Sequence, residues 1–201
     1  MGARQRFRGR IAGVGSTSGV RVVVGWWPQS PFGPFADVMV ERADGHRLLL
    51  APSEQVEDLV TGTYTFDEVR REPVAAEVDE RAWSVRTPSL GLELTVGART
   101  GLGRLLRAVP RPVAESPVFA TVADPVARLV LRGVRTRGTA RPGRREYYGA
   151  TDTRTVTGLV GSLDGVALGD LAPVDPPCRF CFSSTPRRPS VTSVTTTIVD
   201  L

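Results

Sequence analysis

The apolar runs of this chain are short. The longest, such as Val22 to Val24 and Leu48 to Ala51, hold three or four residues, and 21 Gly and 16 Pro punctuate the sequence around them. Runs this short fall far below the roughly 20 apolar residues of a membrane-spanning helix. Rich in Val and Thr and broken by turn residues, they suit strands that are buried on one face at a time.

Strands are expected at Arg21 to Trp27, Asp37 to Arg42 and His46 to Ala51, then at Thr63 to Val69, Val74 to Val78, Ala82 to Thr87 and Leu90 to Val96. Asp44-Gly45 between two apolar runs is the strongest hairpin signal in the chain. Leu90, Leu92, Leu94 and Val96 alternate with smaller or polar residues, which predicts a strand with one wet face. Further strands are expected at Val134 to Ala140 and Arg144 to Ala150, forming a hairpin across Arg141-Pro142-Gly143. Thr153 to Val160, Arg179 to Ser183 and Val191 to Val199 complete the set. Helices are expected after Ser53, over Leu102 to Val109, and from Asp124-Pro125 to Gly133, where Ser or Asp can cap and Pro can occupy the first turn. The pattern predicts a mainly β fold: an antiparallel β-barrel or sandwich, lipocalin-like or a related barrel, with two or three short helical insertions. Residues 1–18 read as a flexible basic arm and 19–201 as a single β-rich domain.

All 26 basic residues are Arg, with no Lys and no Asn, which is the mark of a GC-rich coding sequence as much as of chemistry. The position of Arg therefore carries more information than its abundance. The net charge of +5 divides into +5 over residues 1–35, −7 over 36–93, +9 over 94–145 and −2 over 146–201. One reading is an anion-binding surface built from Arg128, Arg132, Arg135, Arg137, Arg144 and Arg145. The preferred reading is that the oppositely charged blocks pack together and largely neutralise.

Several chemistries are excluded or left without support. A chain with no lysine cannot form a lysine Schiff base, so decarboxylase or aldolase mechanisms of that kind are absent. His46 is the single imidazole and follows a turn, where side chains meet solvent. Cys178 and Cys181 have the CxxC spacing but lack a second ligand pair, and Pro176-Pro177 ahead of them reads as the start of a strand rather than of a helix. They are expected to be packing thiols. Gly13-Val14-Gly15 fits neither a dinucleotide fingerprint nor a P-loop. No metal and no cofactor is expected.

Two aromatic groups stand out. Trp26, Trp27, Phe32 and Phe35 crowd a proline-stiffened stretch, and adjacent tryptophans on a strand face opposite ways. In Arg144-Arg145-Glu146-Tyr147-Tyr148, Arg145 and Tyr147 share one face while Glu146 and Tyr148 share the other. If the first face lines a cavity, Arg145 and Tyr147 can hold a carboxylate or phenolate. Asp37, Glu41, Tyr64, Asp67 and Glu68 add acid and phenol groups on or near strands. The candidate ligand-binding set is Trp26, Trp27, Phe32, Phe35, Asp37, Tyr64, Arg145 and Tyr147.

The runs Ser30 to Arg47, Gly62 to Val69, Arg144 to Gly149 and Pro186 to Val199 resemble an uncharacterised family of similar-length proteins from high-GC actinobacteria. That resemblance implies a bacterial, cytoplasmic setting and brings no activity with it. Three functions are then expected in order. The first is binding of a small apolar or amphipathic ligand, anionic in one version, inside a barrel capped by the Pro28 to Phe35 loop. The second is a cofactor-free cyclase, isomerase or hydrolase using Asp or Glu with Tyr in the same cavity. The third is binding of nucleic acid or an acidic partner through residues 94–145, with nucleic acid disfavoured. The oligomeric state is open, a homodimer included. Periodicity assigns strand faces and leaves open whether the interior is hollow or filled.

Overall fold

The structure, a computed structural model, describes residues 4–116, 119, 121, 135–141, 144–181 and 183–200. Its strands begin with β1 (Arg4–Ser16), β2 (Arg21–Gln29), β3 (Phe35–Glu41) and β4 (Arg47–Ala51). Helix α1 (Glu54–Thr61) leads to β5 (Glu68–Arg71), β6 (Ala75–Val78), β7 (Ala82–Arg86) and β8 (Leu90–Arg99). Helices α2 (Gly101–Ala108) and α3 (Arg111–Ala114) precede β9 (Arg137–Arg141) and the long β10 (Arg144–Leu163). Short β11 (Val166–Ala167) and β12 (Leu171–Ala172) lead to β13 (Ser190–Asp200).

One sheet runs β5-β4-β3-β2-β1-β13-β10-β8-β7-β6 and curls into a half-barrel. Its pairs are antiparallel except β4 with β5, which are parallel and joined through α1. The fold is mainly β, as the punctuated apolar runs predict. The Asp44-Gly45 turn closes the β3–β4 hairpin: Gly45 has φ 92°, and the Arg42 amide donates to the His46 carbonyl at 2.8 Å. Ser53 caps α1 by accepting from the Val56 amide, and Thr100 caps α2 by accepting from the Gly103 amide.

The curl gives the sheet an inner and an outer face. Inside, Val22 and Val24 of β2, Val38 and Val40 of β3 and Leu48 and Leu50 of β4 meet Trp83 of β7 and Leu90, Leu92 and Leu94 of β8 in one buried cluster. Each fully buried Leu contributes on the order of 2 kcal/mol. The described interior is therefore filled by side chains. Outside, a second apolar layer forms where Val23 meets Val174, Cys178 and Phe180, and where Leu49 and Ala51 meet Val56 and Val60 of α1. Glu41, fully buried, fastens the segment around residue 179: it pairs with Arg21 at 2.9 Å and accepts from the Arg179 amide at 2.7 Å.

Three expectations are corrected. Within the expected arm of residues 1–18, Arg4–Ser16 is not free, because β1 lies in the middle of the sheet, hydrogen-bonded to β2 on one side and β13 on the other. Alternating Arg masked a strand whose other face carries Phe7 and Ile11. The described residues of the expected strand Arg179 to Ser183 are not a strand: side chains hold the backbone here, the Cys178 amide donating to Ser184 Oγ and the Arg179 amide to Glu41. Of Thr63 to Val69, Glu68 and Val69 belong to a strand, while the Tyr64 amide continues the turn after α1 by donating to the Val60 carbonyl. The helix expected over Asp124 to Gly133 lies outside the described residues.

Removal of residues 1–18 is expected to abolish cooperative thermal unfolding followed by circular dichroism, since it leaves β2 and β13 as open edges over a severed core. A truncated chain that melts like the full one would show that β1 is dispensable.

Candidate functional site

Five elements bring arginines to one end of the inner face. On β1, Arg4, Arg6, Arg8 and Arg10 fall on the side that farther along carries Ala12 and Val14, so one strand face passes from charged to apolar. On β10, register shifts at Ala150/Asp152. Without that bulge Asp152 and Arg154 would share the outer face with Glu146 and Tyr148; the extra residue turns them inward, opposite Ser193 and Val191. Arg99 ends β8, and α2 and α3 supply Arg107 and Arg111.

Arg10, Arg99, Arg107, Arg111, Asp152 and Arg154 line a cleft of about 310 Å³ whose floor is Trp83, Val96 and Val191 of the core. Asp152 organises the wall, accepting from Arg99 Nε at 2.8 Å and standing 3.9 Å from Arg107. Arg154 donates to the Glu80 carbonyl at 2.7 Å and Arg10 to the Asp79 carbonyl at 3.3 Å. Arg10 also lies 5.7 Å over the ring of Trp26, which packs its other side on the core. Five guanidinium groups and the carboxylates of Asp79, Glu80 and Asp152 leave the lining net positive. Arg154 Nε and Trp83 Nε1 are buried donors with no hydrogen-bond partner among the described residues. Unmatched buried donors cost about 1–3 kcal/mol each and favour an acceptor nearby. A second hollow of about 640 Å³ runs beside it, between Arg4, Arg6 and Arg8 of β1 and α3, and shares Arg111 with the first.

The outer face holds a separate polar cluster. Gly25 of β2 stands opposite Asp37 of β3, and a side chain there would collide with both Asp37 and the Trp27 indole. The space it leaves lets Trp27 Nε1 donate to Asp37 Oδ1 at 2.9 Å. Tyr64 and Tyr148 share a hydroxyl–hydroxyl bond of 2.7 Å, and Tyr148 donates to Glu146 Oε2 at 2.8 Å. Burial pushes both phenols well above their ordinary range, with Glu146 adding to the shift. Burial likewise pushes the Asp37 carboxyl up to about 7, opposed in part by the Trp27 hydrogen bond.

Of the eight residues singled out from sequence, Trp27, Phe35, Asp37 and Tyr64 come to this outer face. Trp27 and Phe35 pack around Phe7 with Phe32, so the Pro28 to Phe35 loop folds onto Phe7 rather than over the inner cavity. Trp26 faces the inner side and touches the cleft through Arg10. Arg145 and Tyr147 do not join the cluster: β10 turns them to the face opposite Glu146 and Tyr148, and the latter two meet Tyr64. Sequence alternation grouped both pairs correctly but could not tell which faced a covering layer. Of the expected anion surface, Arg128 and Arg132 lie outside the described residues; the cleft arginines come from other elements. Their signal was the Arg alternation in β1, which the reading of a free arm obscured. His46 lies at the surface, 3.1 Å from Glu68. Burial pushes the Cys178 thiol up to about 12, so it is held as an inert thiol at neutral pH. Among the described residues no group of three or more His, Cys, Asp or Glu is placed to hold a metal, and no helix is long and apolar enough to cross a membrane.

A carboxyl whose pKa is raised on folding keeps its proton in the native state after the unfolded chain has lost it. Asp37 therefore lowers stability as pH rises from about 4 to about 7, by about 1.4 kcal/mol per pH unit at most. Urea unfolding across that range should show this decline, and Asp37→Asn should flatten it. An unchanged slope in the variant would mean that Asp37 does not titrate there.

No family model matches this chain, and no curated protein sequence matches it. Solved structures that resemble it include acetoacetate decarboxylase from Legionella pneumophila subsp. pneumophila, at 10% identity and a TM-score of 0.45, covering 99% of this chain and 86% of that one. A second acetoacetate decarboxylase structure is 7% identical with a TM-score of 0.48, covering 98% of this chain and 87% of its own. At this level the likeness carries no chemistry, and this chain has no lysine to form a Schiff base.

Proposed function

We propose that this protein binds a small anionic molecule in the arginine-lined cleft at the open end of its half-barrel, in a bacterial cytoplasm. The observation that carries this reading is the convergence of Arg10, Arg99, Arg107, Arg111 and Arg154 on one concave space of about 310 Å³ with an apolar floor. Guanidinium forks match carboxylate and phosphate oxygens, and a recessed site strengthens such pairs by limiting solvent. Asp152 holds Arg99, so part of the wall is set before a ligand arrives. Trp83, Val96 and Val191 suit a ligand with a compact apolar portion beneath its charge. The ligand-binding reading thus moves from a hollow interior to the cleft above a filled one.

A cofactor-free acid–base enzyme is the second reading, favoured by the Tyr64, Tyr148 and Glu146 hydrogen bonds beside Asp37. Those groups lie across the sheet from the cleft, so the two readings separate by mutation.

Inorganic phosphate is expected to raise the melting temperature in a thermal-shift titration, adding about 2.7 kcal/mol at roughly 100 times Kd. Arg10→Ala with Arg107→Ala should remove most of that gain, while Tyr64→Phe should leave it intact. Equal stabilisation of wild type and the double arginine variant by phosphate, or none in either, would count against the cleft.

A further inference from the structure

We infer that the two hollows are one elongated site, joined at Arg111, and that its ligand carries negative charges in a line, as a chain of phosphates does. This rests on the reading of the cleft as an anion site and names the ligand class. Arg4, Arg6, Arg8 and Arg10 share one face of β1, where alternate residues stand about 6.7 Å apart, so the row spans about 20 Å. Pairing with β13 fixes that line, Arg10, Arg8, Arg6 and Arg4 standing opposite Ser193, Thr195, Thr197 and Val199, and β2 adds a second ladder at Arg8 and Arg10. The row enters the cleft at Arg10 and lines the second hollow with its other three members.

The charges along the row are available. Arg8 pairs with Glu115 at 2.8 Å, which ties α3 to the strand, whereas Arg4, Arg6 and Arg111 have no carboxylate partner among the described residues. Several arginines outside the two hollows are matched instead: Arg47 with Asp67, Arg70 with Glu68, Arg71 with Glu57 and Arg187 with Asp175. Gly149 lets the α3 backbone lie against β10, because a side chain there would meet the Ala114 carbonyl, and this packing places Arg111 between the hollows.

A single carboxylate or phosphate can engage one end of such a row. A chain of phosphates can engage both hollows at once, and the second contact then forms at high effective concentration. The second hollow has no aromatic side chain in its lining, and Trp26 beside the first is covered by Arg10. Among the described residues, the lining of the second hollow thus offers no platform for stacking successive bases, which single-stranded nucleic acids use. The phosphate chain can come from free polyphosphate or from a nucleoside triphosphate.

The test is calorimetric titration of the full chain with orthophosphate, inorganic tripolyphosphate, ATP and an oligothymidylate at one moderate salt concentration. Tripolyphosphate is expected to bind at least about tenfold more tightly than orthophosphate. Arg4→Ala with Arg6→Ala should erase that advantage and leave orthophosphate affinity unchanged, and Lys at both positions should restore part of it; both residues are exposed, and circular dichroism checks the fold. ATP equal to tripolyphosphate would assign recognition to the phosphates alone, and tighter ATP would identify a nucleoside triphosphate; both support the inference. Equal affinity for orthophosphate and tripolyphosphate, or an advantage that survives in the double variant, overturns the elongated site and leaves the cleft standing. Tighter binding of oligothymidylate than of tripolyphosphate overturns it in favour of nucleic acid. Binding of none of the four overturns both the elongated site and the cleft.

Discussion

The pairing of β1 between β2 and β13 sets the rest of the molecule. Through these ladders one strand connects the half of the sheet that ends at β5 to the half that ends at β6. Its register also decides what each face carries. Ala12 and Val14 enter the inner core, Phe7 and Ile11 enter the outer layers, and the arginines fall where the inner core stops. A slip of one residue would drive Arg8 and Arg10 to the outer face and strip the cleft of one wall. Burial of Phe7 and Ala12 on opposite faces opposes that slip.

β10 solves the complementary problem. It runs from Arg144 to Leu163, long enough to serve both the polar end of the sheet and the apolar core. An unbroken strand would put Glu146, Tyr148, Asp152 and Arg154 on one face. The bulge at Thr151 separates them: a buried Tyr–Glu cluster outside, an Asp–Arg cleft inside. Without that bulge, two chemically distinct sites could not share the strand.

What could be read from the sequence follows from how local each signal is. The Asp44-Gly45 hairpin, the Ser53 cap and the alternation of Leu90 to Val96 depend on a few neighbouring residues, and the expected elements match those found. The strand at residues 4–16 was missed because its inner-facing positions from Arg4 to Arg10 are all Arg, which in isolation reads as solvated. Charge segregation resolves unevenly: acids of the 36–93 block pair with nearby arginines such as Arg47 and Arg71, while Arg4, Arg6 and Arg111 meet no carboxylate among the described residues. The meeting of Tyr64 with Tyr148, and of Arg10 with Arg154, spans much of the chain and depends on strand order and one bulge. No local periodicity contains that information.

Positive charge outweighs negative in the cleft, where five guanidinium groups face three carboxylates. Anomalous diffraction from crystals soaked in selenate, a heavy analogue of a tetrahedral oxyanion, tests it most directly. The strongest selenium peak is expected among the guanidinium groups of Arg10, Arg107 and Arg111. A cleft holding no anion, with selenate instead at paired arginines such as Arg47 or Arg70, would contradict it.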